Sequence, residues 1–188
     1  MAKEDPFVEV AMKAAAEILG GNLSIKSGAP LLYAVTVDNN LELTVRPKAP
    51  KRGQSAFQTD LCVFEKRDEG VEIPRVVIEF KGSITTHDVL TYSAKAGKHK
   101  QVYPYLRYGL LISGEEEIPR RVYVHNDFLD FIVCSGGIET NRLHQLFEKL
   151  LRKEIEASRA LEEITFGKAG AYIFRKGIEI EKGTGKLS

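Results

Sequence analysis

Arg75-Val76-Val77-Ile78-Glu79-Phe80-Lys81 reads as an apolar strand that carries ions where a buried strand should carry none. Side chains alternate faces along a strand, so Val76, Ile78 and Phe80 share one face and Val77, Glu79 and Lys81 the other. A carboxylate and an ammonium therefore project from one side, and burying them is unfavourable unless something pairs with them. Upstream, Asp60 borders the apolar run Leu61-Cys62-Val63-Phe64. If the two strands pair, Asp60 and Glu79 approach one metal position. Two carboxylates are hard oxygen ligands, suited to Mg²⁺ (or Mn²⁺ in its place) bound with waters and substrate phosphate, and the backbone carbonyl of Phe80 offers a further oxygen. Lys81 beside the ion would orient or deprotonate the attacking water and offset charge building on the phosphate.

These residues resemble the PD-(D/E)XK nuclease superfamily, the restriction-endonuclease-like and RecB-like nucleases. The match rests on Thr59-Asp60 and Glu79-Phe80-Lys81, with 18 residues between the two acids. Gln101-Val102-Tyr103-Pro104-Tyr105 is similar to the Q-x-x-x-Y element that RecB-like members carry on the helix after the catalytic strand. Thr59 stands where the name of the motif has Pro. The resemblance covers about residues 5–113 and implies an α/β fold, a restriction-endonuclease-like mixed β-sheet core of order αβββαβ flanked by helices. It says little about residues 114–188, which read as extra strands and a long helix of the same single domain, 1–188. It further implies that Gln101 supports the site. On a continuous helix Ala94, Lys98, Gln101 and Tyr105 share a face. Gln101 would then reach a metal-bound water or the phosphate, Tyr105 would orient Gln101 or reach the backbone, and Lys98 would touch a phosphate. The family often adds an acid from the first helix; of Glu4, Glu9 and Glu17, the last flanks the apolar stripe and is the best placed.

The rest of the chain supplies the elements. Asp5-Pro6 starts a helix, with Phe7, Val8, Ala11, Ala14, Ala15 and Ile18 at helical spacing, and Gly20-Gly21 stops it. Strands are expected over 31–37, 41–45, 57–65, 75–81, 109–113, 121–125 and 128–134. Thr85 and Asp88 form a capping box for a helix with Gly97 as its weak point, which Pro104 kinks or ends. Thr140 caps a long amphipathic helix through Leu143, Leu146, Phe147, Leu150, Leu151 and Ile155, expected to be an appendage or a dimer arm. A mixed sheet with helices packed on it accommodates this order.

Composition is that of an ordinary globular protein: of 188 residues, 43% are hydrophobic and 28% charged, with net charge +1. No apolar run approaches the roughly 20 residues of a membrane span. The charged start shows no signal peptide, and Cys62 and Cys134 in apolar runs read as reduced core residues. The expectation is a cytoplasmic protein without membrane contact. Charge is unevenly spread. Arg46, Lys48, Lys51 and Arg52 share a Pro-rich loop without an acid, and Lys98 and Lys100 lie in a second basic stretch. Both suit contact with DNA phosphates. No HExxH, GxSxG or GxGxxG pattern points to another chemistry. The reading is a Mg²⁺-dependent DNA endonuclease of restriction or repair type, which as a restriction enzyme would act as a symmetric homodimer. The alternatives are the same fold with a non-cleaving site, binding nucleic acid or protein, and a structural protein with a chance motif.

Overall fold

The strand built around Glu79 is the middle one of a five-stranded mixed sheet. The structure is a computed structural model that describes residues 12, 13, 15–17, 21–168, 170, 171, 173 and 177–181. Its strands are β1 (Leu23–Ser27), β2 (Pro30–Leu32), β3 (Ala56–Gln58), β4 (Leu61–Lys66), β5 (Glu72–Lys81), β6 (Arg107–Ile112) and β7 (Phe131–Cys134). Its helices beyond residue 21 are α1 (Thr86–Val102), α2 (Arg120–His125) and α3 (Thr140–Phe166), with a 3-10 turn at Asp68–Gly70. The main sheet runs β1-β4-β5-β6-β7, and β2-β3 form a separate ribbon. β1, β4 and β5 pair antiparallel; β6 and β7 join parallel, with α1 making the β5-to-β6 crossover.

Both faces of the sheet are covered. Val63, Val76, Ile78 and Leu111 pack against Leu143, Phe147, Leu151 and Ile155 of α3. Cys62, Val77, Tyr108 and Leu110 pack on the other side with Val89 and Ala96 of α1. The long helix is therefore a covering layer rather than an appendage or dimer arm: its apolar stripe is used up by the sheet. The capping box of α1 forms as expected, with Thr85 and Asp88 each bonding the other's backbone. The helix ends at Val102, before Pro104. Gly97 is no weak point, because a Cβ there would stand 2.9 Å from the Phe128 ring, so only glycine lets that ring seat. Gly109 on β6 likewise leaves room for Phe131. Both cysteines are buried and free, and among the described residues no helix is long and apolar enough to cross a membrane.

The structure departs from the periodicity in several places. The run 57–65 is two strands in two sheets, broken at Thr59, whose buried hydroxyl donates to the Ala29 carbonyl at 3.0 Å. Of 31–37 and 41–45, only Leu31 and Leu32 are strand. Residues 35–44 are an exposed excursion closed by an isolated bridge, Val37 to Leu43, which adds to no sheet, while Val45 is buried against Leu32 and Ala56. β1 has a weak pattern of polar and half-buried residues, as befits an edge. Residues 120–125 are helical: only Val122 of that β-branched run is buried, and Pro119 stands at the helix start. β7 begins only at Phe131, since Asn126 to Leu129 close a turn through the Asn126 side chain. Glu139, without a side-chain bond, stands at the α3 cap and Thr140 is its first residue.

A bulge in β5 aims Arg75. The register jumps from Val63↔Val76 to Phe64↔Pro74, so Arg75 is the extra residue. Strict alternation would put it on the α1 face with Val77 and Glu79. The bulge turns it to α3 instead, where its guanidinium, 0% exposed, lies 2.5 Å from Glu65 and 2.5 Å from Glu162. Arg159 of α3 takes the other Glu65 oxygen at 2.8 Å. Removing the central cation leaves Glu65 and Glu162 crowded together in a half-dry setting. Arg75→Met should therefore destabilise by about 3–5 kcal/mol, measured as a lower urea midpoint at unchanged slope; a midpoint within error of wild type would refute the role given to this network.

Candidate active site

β4 stops pairing at Leu61↔Ile78, while β6 accompanies β5 to Lys81↔Ile112. Glu79, Phe80 and Lys81 thus run past the end of β4 with one strand edge open. Asp60, the residue before β4, occupies that edge. Its Oδ2 accepts the Phe80 N–H at 2.9 Å, and its own N–H faces Glu79 Oε2 at 3.4 Å. The N–H and C=O of one strand residue point to the same side, so the Phe80 carbonyl opens on the edge that Asp60 occupies. The Asp60 and Glu79 carboxylates and this carbonyl are oxygen donors of the kind that could hold a hard divalent ion such as Mg²⁺. Among the described residues no group of three or more His, Cys, Asp or Glu side chains comes together.

Glu79 is only 2% exposed, whereas Asp60 is exposed. Oε1 of Glu79 accepts from Lys95 Nζ at 2.6 Å and from the Tyr108 hydroxyl. Lys95 also donates to the Gln58 carbonyl at 3.1 Å. Burial pushes the Glu79 carboxyl up to about 7; the Lys95 charge works against this and the Asp60 charge with it. Burial also pushes the Tyr108 phenol well above its usual range, with Glu79 adding to the rise. Lys81 shares the α1-facing side with Glu79, as alternation requires, but its ammonium pairs with Asp88 at 3.5 Å and sits over the Tyr92 ring. Burial opposes its charge, yet Tyr92 and Asp88 outweigh that and raise its pKa, so Lys81 is an ammonium at neutral pH. About a third of its side chain remains in contact with solvent.

Beside the buried row of Val89, Ser93 and Ala96, α1 turns Asp88, Tyr92 and Lys95 toward Glu79 and Lys81, and His99 continues that row at helical spacing. His99, fully buried, donates from Nδ1 to the Leu32 carbonyl at 2.9 Å and stacks on Tyr108. Ala94, Lys98 and Gln101 lie on the exposed face, so the structure does not bring Gln101 to Asp60 and Glu79. Tyr105 is not on the helix at all. After Pro104 it is buried beside Tyr103, Phe166 and the Arg75 guanidinium. Arg75 lies four residues back along β5 from Glu79, about 13 Å at the rise of a strand. Glu17 lies 3.2 Å from His144 of α3, on the opposite face of the sheet. Glu4 and Glu9 lie outside the described residues.

Arg46, Lys48, Lys51 and Arg52 are exposed, as a phosphate-contacting loop requires. Arg52 donates to the Gln58 side chain at 3.1 Å, and the Gln58 carbonyl holds Lys95, so this end of the loop stands at the rim of the site. Lys48 instead borders a cleft of about 590 Å³ shared with Lys26, Tyr103 and Tyr105. Lys100 is turned inward, 2.6 Å from Asp130 and donating to the Phe128 carbonyl. The residues that sequence reasoning missed are Lys95, Tyr92 and Tyr108. Counting the helix face forward from Asp88, the residue of the capping box, by four, seven and eleven rather than back from Tyr105 would have found Tyr92, Lys95 and His99; Tyr108 becomes visible only through the β5–β6 register. The chain matches no protein-family model and no curated protein.

The raised Glu79 pKa has a thermodynamic consequence. A carboxyl raised from 4.5 to about 7 on folding holds a proton in the folded state that the unfolded chain has already lost. Its contribution to stability is present below pH 4.5 and fades as pH rises to 7, by about 3 kcal/mol in total. Glu79→Gln, which carries no titrating group, should therefore gain stability relative to wild type between pH 4.5 and 7, in urea melts with chelator. A difference that stays flat with pH would show that Glu79 is not the buried titrating carboxyl.

Proposed function

We propose that this chain is a Mg²⁺-dependent nuclease that hydrolyses phosphodiester bonds in DNA, built on a restriction-endonuclease-like core. The observation that carries the reading is the docking of Asp60 against Glu79 and Phe80 where β5 outruns β4, with Lys81 two residues on and on the Glu79 face. The topology supports it: three antiparallel strands, a crossover helix and a parallel strand are the βββαβ part of the core that the motif implies. The site also lies at the carboxyl end of the parallel strands, where open sheets of this kind bind ligands.

Asp60 and Glu79, with the Phe80 carbonyl, would hold the ion. Bound there, Mg²⁺ supplies Lewis-acid polarisation of the phosphate and a more acidic attacking water. Lys81, charged and partly open to solvent, binds the phosphate oxygens and orients the water at the mouth of the site. Asp88 and Tyr92 hold its stem and head in place. Arg52 and its loop neighbours track the backbone beside the site, a contact indifferent to base sequence.

A second reading keeps the fold and loses the cleavage. Glu79 already has Lys95 and Tyr108 as partners, so its own charge is met as it stands. On that reading DNA binds and stays intact. Incubation of supercoiled, linear and single-stranded DNA with the chain separates the two. Nicking or cutting that requires Mg²⁺ or Mn²⁺, and that Asp60→Asn and Lys81→Met each lower by about a hundredfold or more, is the outcome expected. Cleavage unaffected by both substitutions would remove the assignment, and binding without cleavage under any metal would favour the second reading. Replacing Arg46, Lys48, Lys51 and Arg52 with Gln should flatten the dependence of log affinity on log salt by up to about 0.9 per lost contact; an unchanged slope would leave the loop as solvated surface.

A further inference from the structure

The environment of Lys95 is a cation site that the protein fills itself. Its ammonium is 2.6 Å from Glu79 Oε1 and 3.1 Å from the Gln58 carbonyl oxygen. The Phe57 and Tyr92 rings flank it, with centroids at 5.9 and 5.7 Å. The lysine side chain is 18% exposed and the carboxylate 2%. Three kinds of group that attract positive charge (a carboxylate, a carbonyl and two aromatic faces) thus converge on one position. They do so beside the oxygen edge formed by Asp60, Glu79 and Phe80. Lys95 reaches Glu79 from α1, an element that carries none of the three oxygens, so it can withdraw without disturbing them. Lys81 does not perform this task, because Asp88 and Tyr92 hold it.

We propose that Lys95 is a tethered counter-cation: it occupies the Glu79 carboxylate in the metal-free protein, and a divalent ion must displace it from Glu79 to bind. The inference rests on the nuclease reading above and deepens it, by naming what holds the site together before the metal arrives. The physical ground is that Glu79, buried in the sheet, needs a positive partner whenever it is ionised. A lysine ammonium and a divalent ion both meet that need, and electrostatic repulsion keeps them from meeting it together. Once displaced, Lys95 keeps the Gln58 carbonyl and the two rings as partners, so release from Glu79 does not strand it. The two cations are then negatively coupled ligands of one carboxylate.

Competition has a signature opposite to that of a merely supporting residue. If Lys95 competes, Lys95→Met should bind Mn²⁺ more tightly than wild type, by about tenfold or more, within the usual range of site-to-site coupling. If Lys95 only orients Glu79 for the ion, the same substitution should weaken binding. Titration calorimetry of the full chain with Mn²⁺ alone, without DNA, reads the difference, with Glu79→Gln as the variant that loses the ligand. Equal or weaker binding by Lys95→Met would overturn the inference and leave the metal site standing. Absence of Mn²⁺ binding in wild type and variant alike would overturn the metal reading and this inference with it. A second measurement needs no substitution and covers a variant that fails to fold. Amine labelling of the wild-type chain, read by mass spectrometry, should modify Lys95 slowly without metal and faster with Mg²⁺, while Lys98 on the exposed face of the same helix serves as the reference. Lys95 labelling that stays the same or slows when Mg²⁺ is added would refute displacement.

Discussion

Glu79 is a carboxylate held almost entirely out of water in the central strand of the sheet, and much of the local architecture answers to that one constraint. An ionised group so placed needs opposite charge and hydrogen-bond donors at fixed positions. Lys95 reaches it from the crossover helix, Tyr108 from the parallel neighbour β6, and the Asp60 backbone from the start of β4. Three elements that are distant in sequence are thereby tied to one atom group. The β5–β6 register brings Tyr108 into range, and the capping box at Thr85 sets where α1 begins and so which of its residues face the sheet.

β5 carries a second buried charge, Arg75, and the contrast shows why one cluster is structural and the other has the character of a site. Arg75 is re-aimed by a bulge to the α3 face, where Glu65, Glu162 and Ser158 surround it and Arg159 completes the neutralisation of Glu65. That network links the sheet to α3 and buries its central cation completely. Glu79 itself is met by Lys95 and Tyr108, but the groups around it stay open to water: Asp60, on the edge where β4 ends, is exposed, and about a third of the Lys81 side chain is in contact with solvent. A closed network stabilises one arrangement; an open one retains capacity for a further cation and for a phosphate.

The sequence by itself determined the chemistry that is local to a strand or a turn. Alternation in 75–81 put Glu79 and Lys81 on one face, and they are there. The Thr85–Asp88 capping box, the end of the helix before Pro104 and the buried free cysteines were equally legible, since each depends on neighbours within a few residues or on composition. The pairing of the Asp60 segment with the Glu79 strand entered only as a condition of the metal reading, and the antiparallel β4–β5 register meets it.

What only the tertiary structure decided is which helix residue meets which strand residue, and which strands are strands at all. Gln101 and Tyr105 share a helix face only while the helix continues, and the proline ends it. Residues 121–125 look like a strand by β-branching, yet they fold as a helix that buries only Val122, and of 41–45 only Leu43 makes a bridge, to Val37 outside any sheet. Lys95 is an ordinary basic residue in a basic stretch until α1 is docked on the sheet, when its rotation about the helix axis places the ammonium on Glu79. Arg75 would face the wrong side without a bulge that no alternation pattern announces. In each case the deciding term is a contact between residues far apart in the chain, and local periodicity contains no information about the partner.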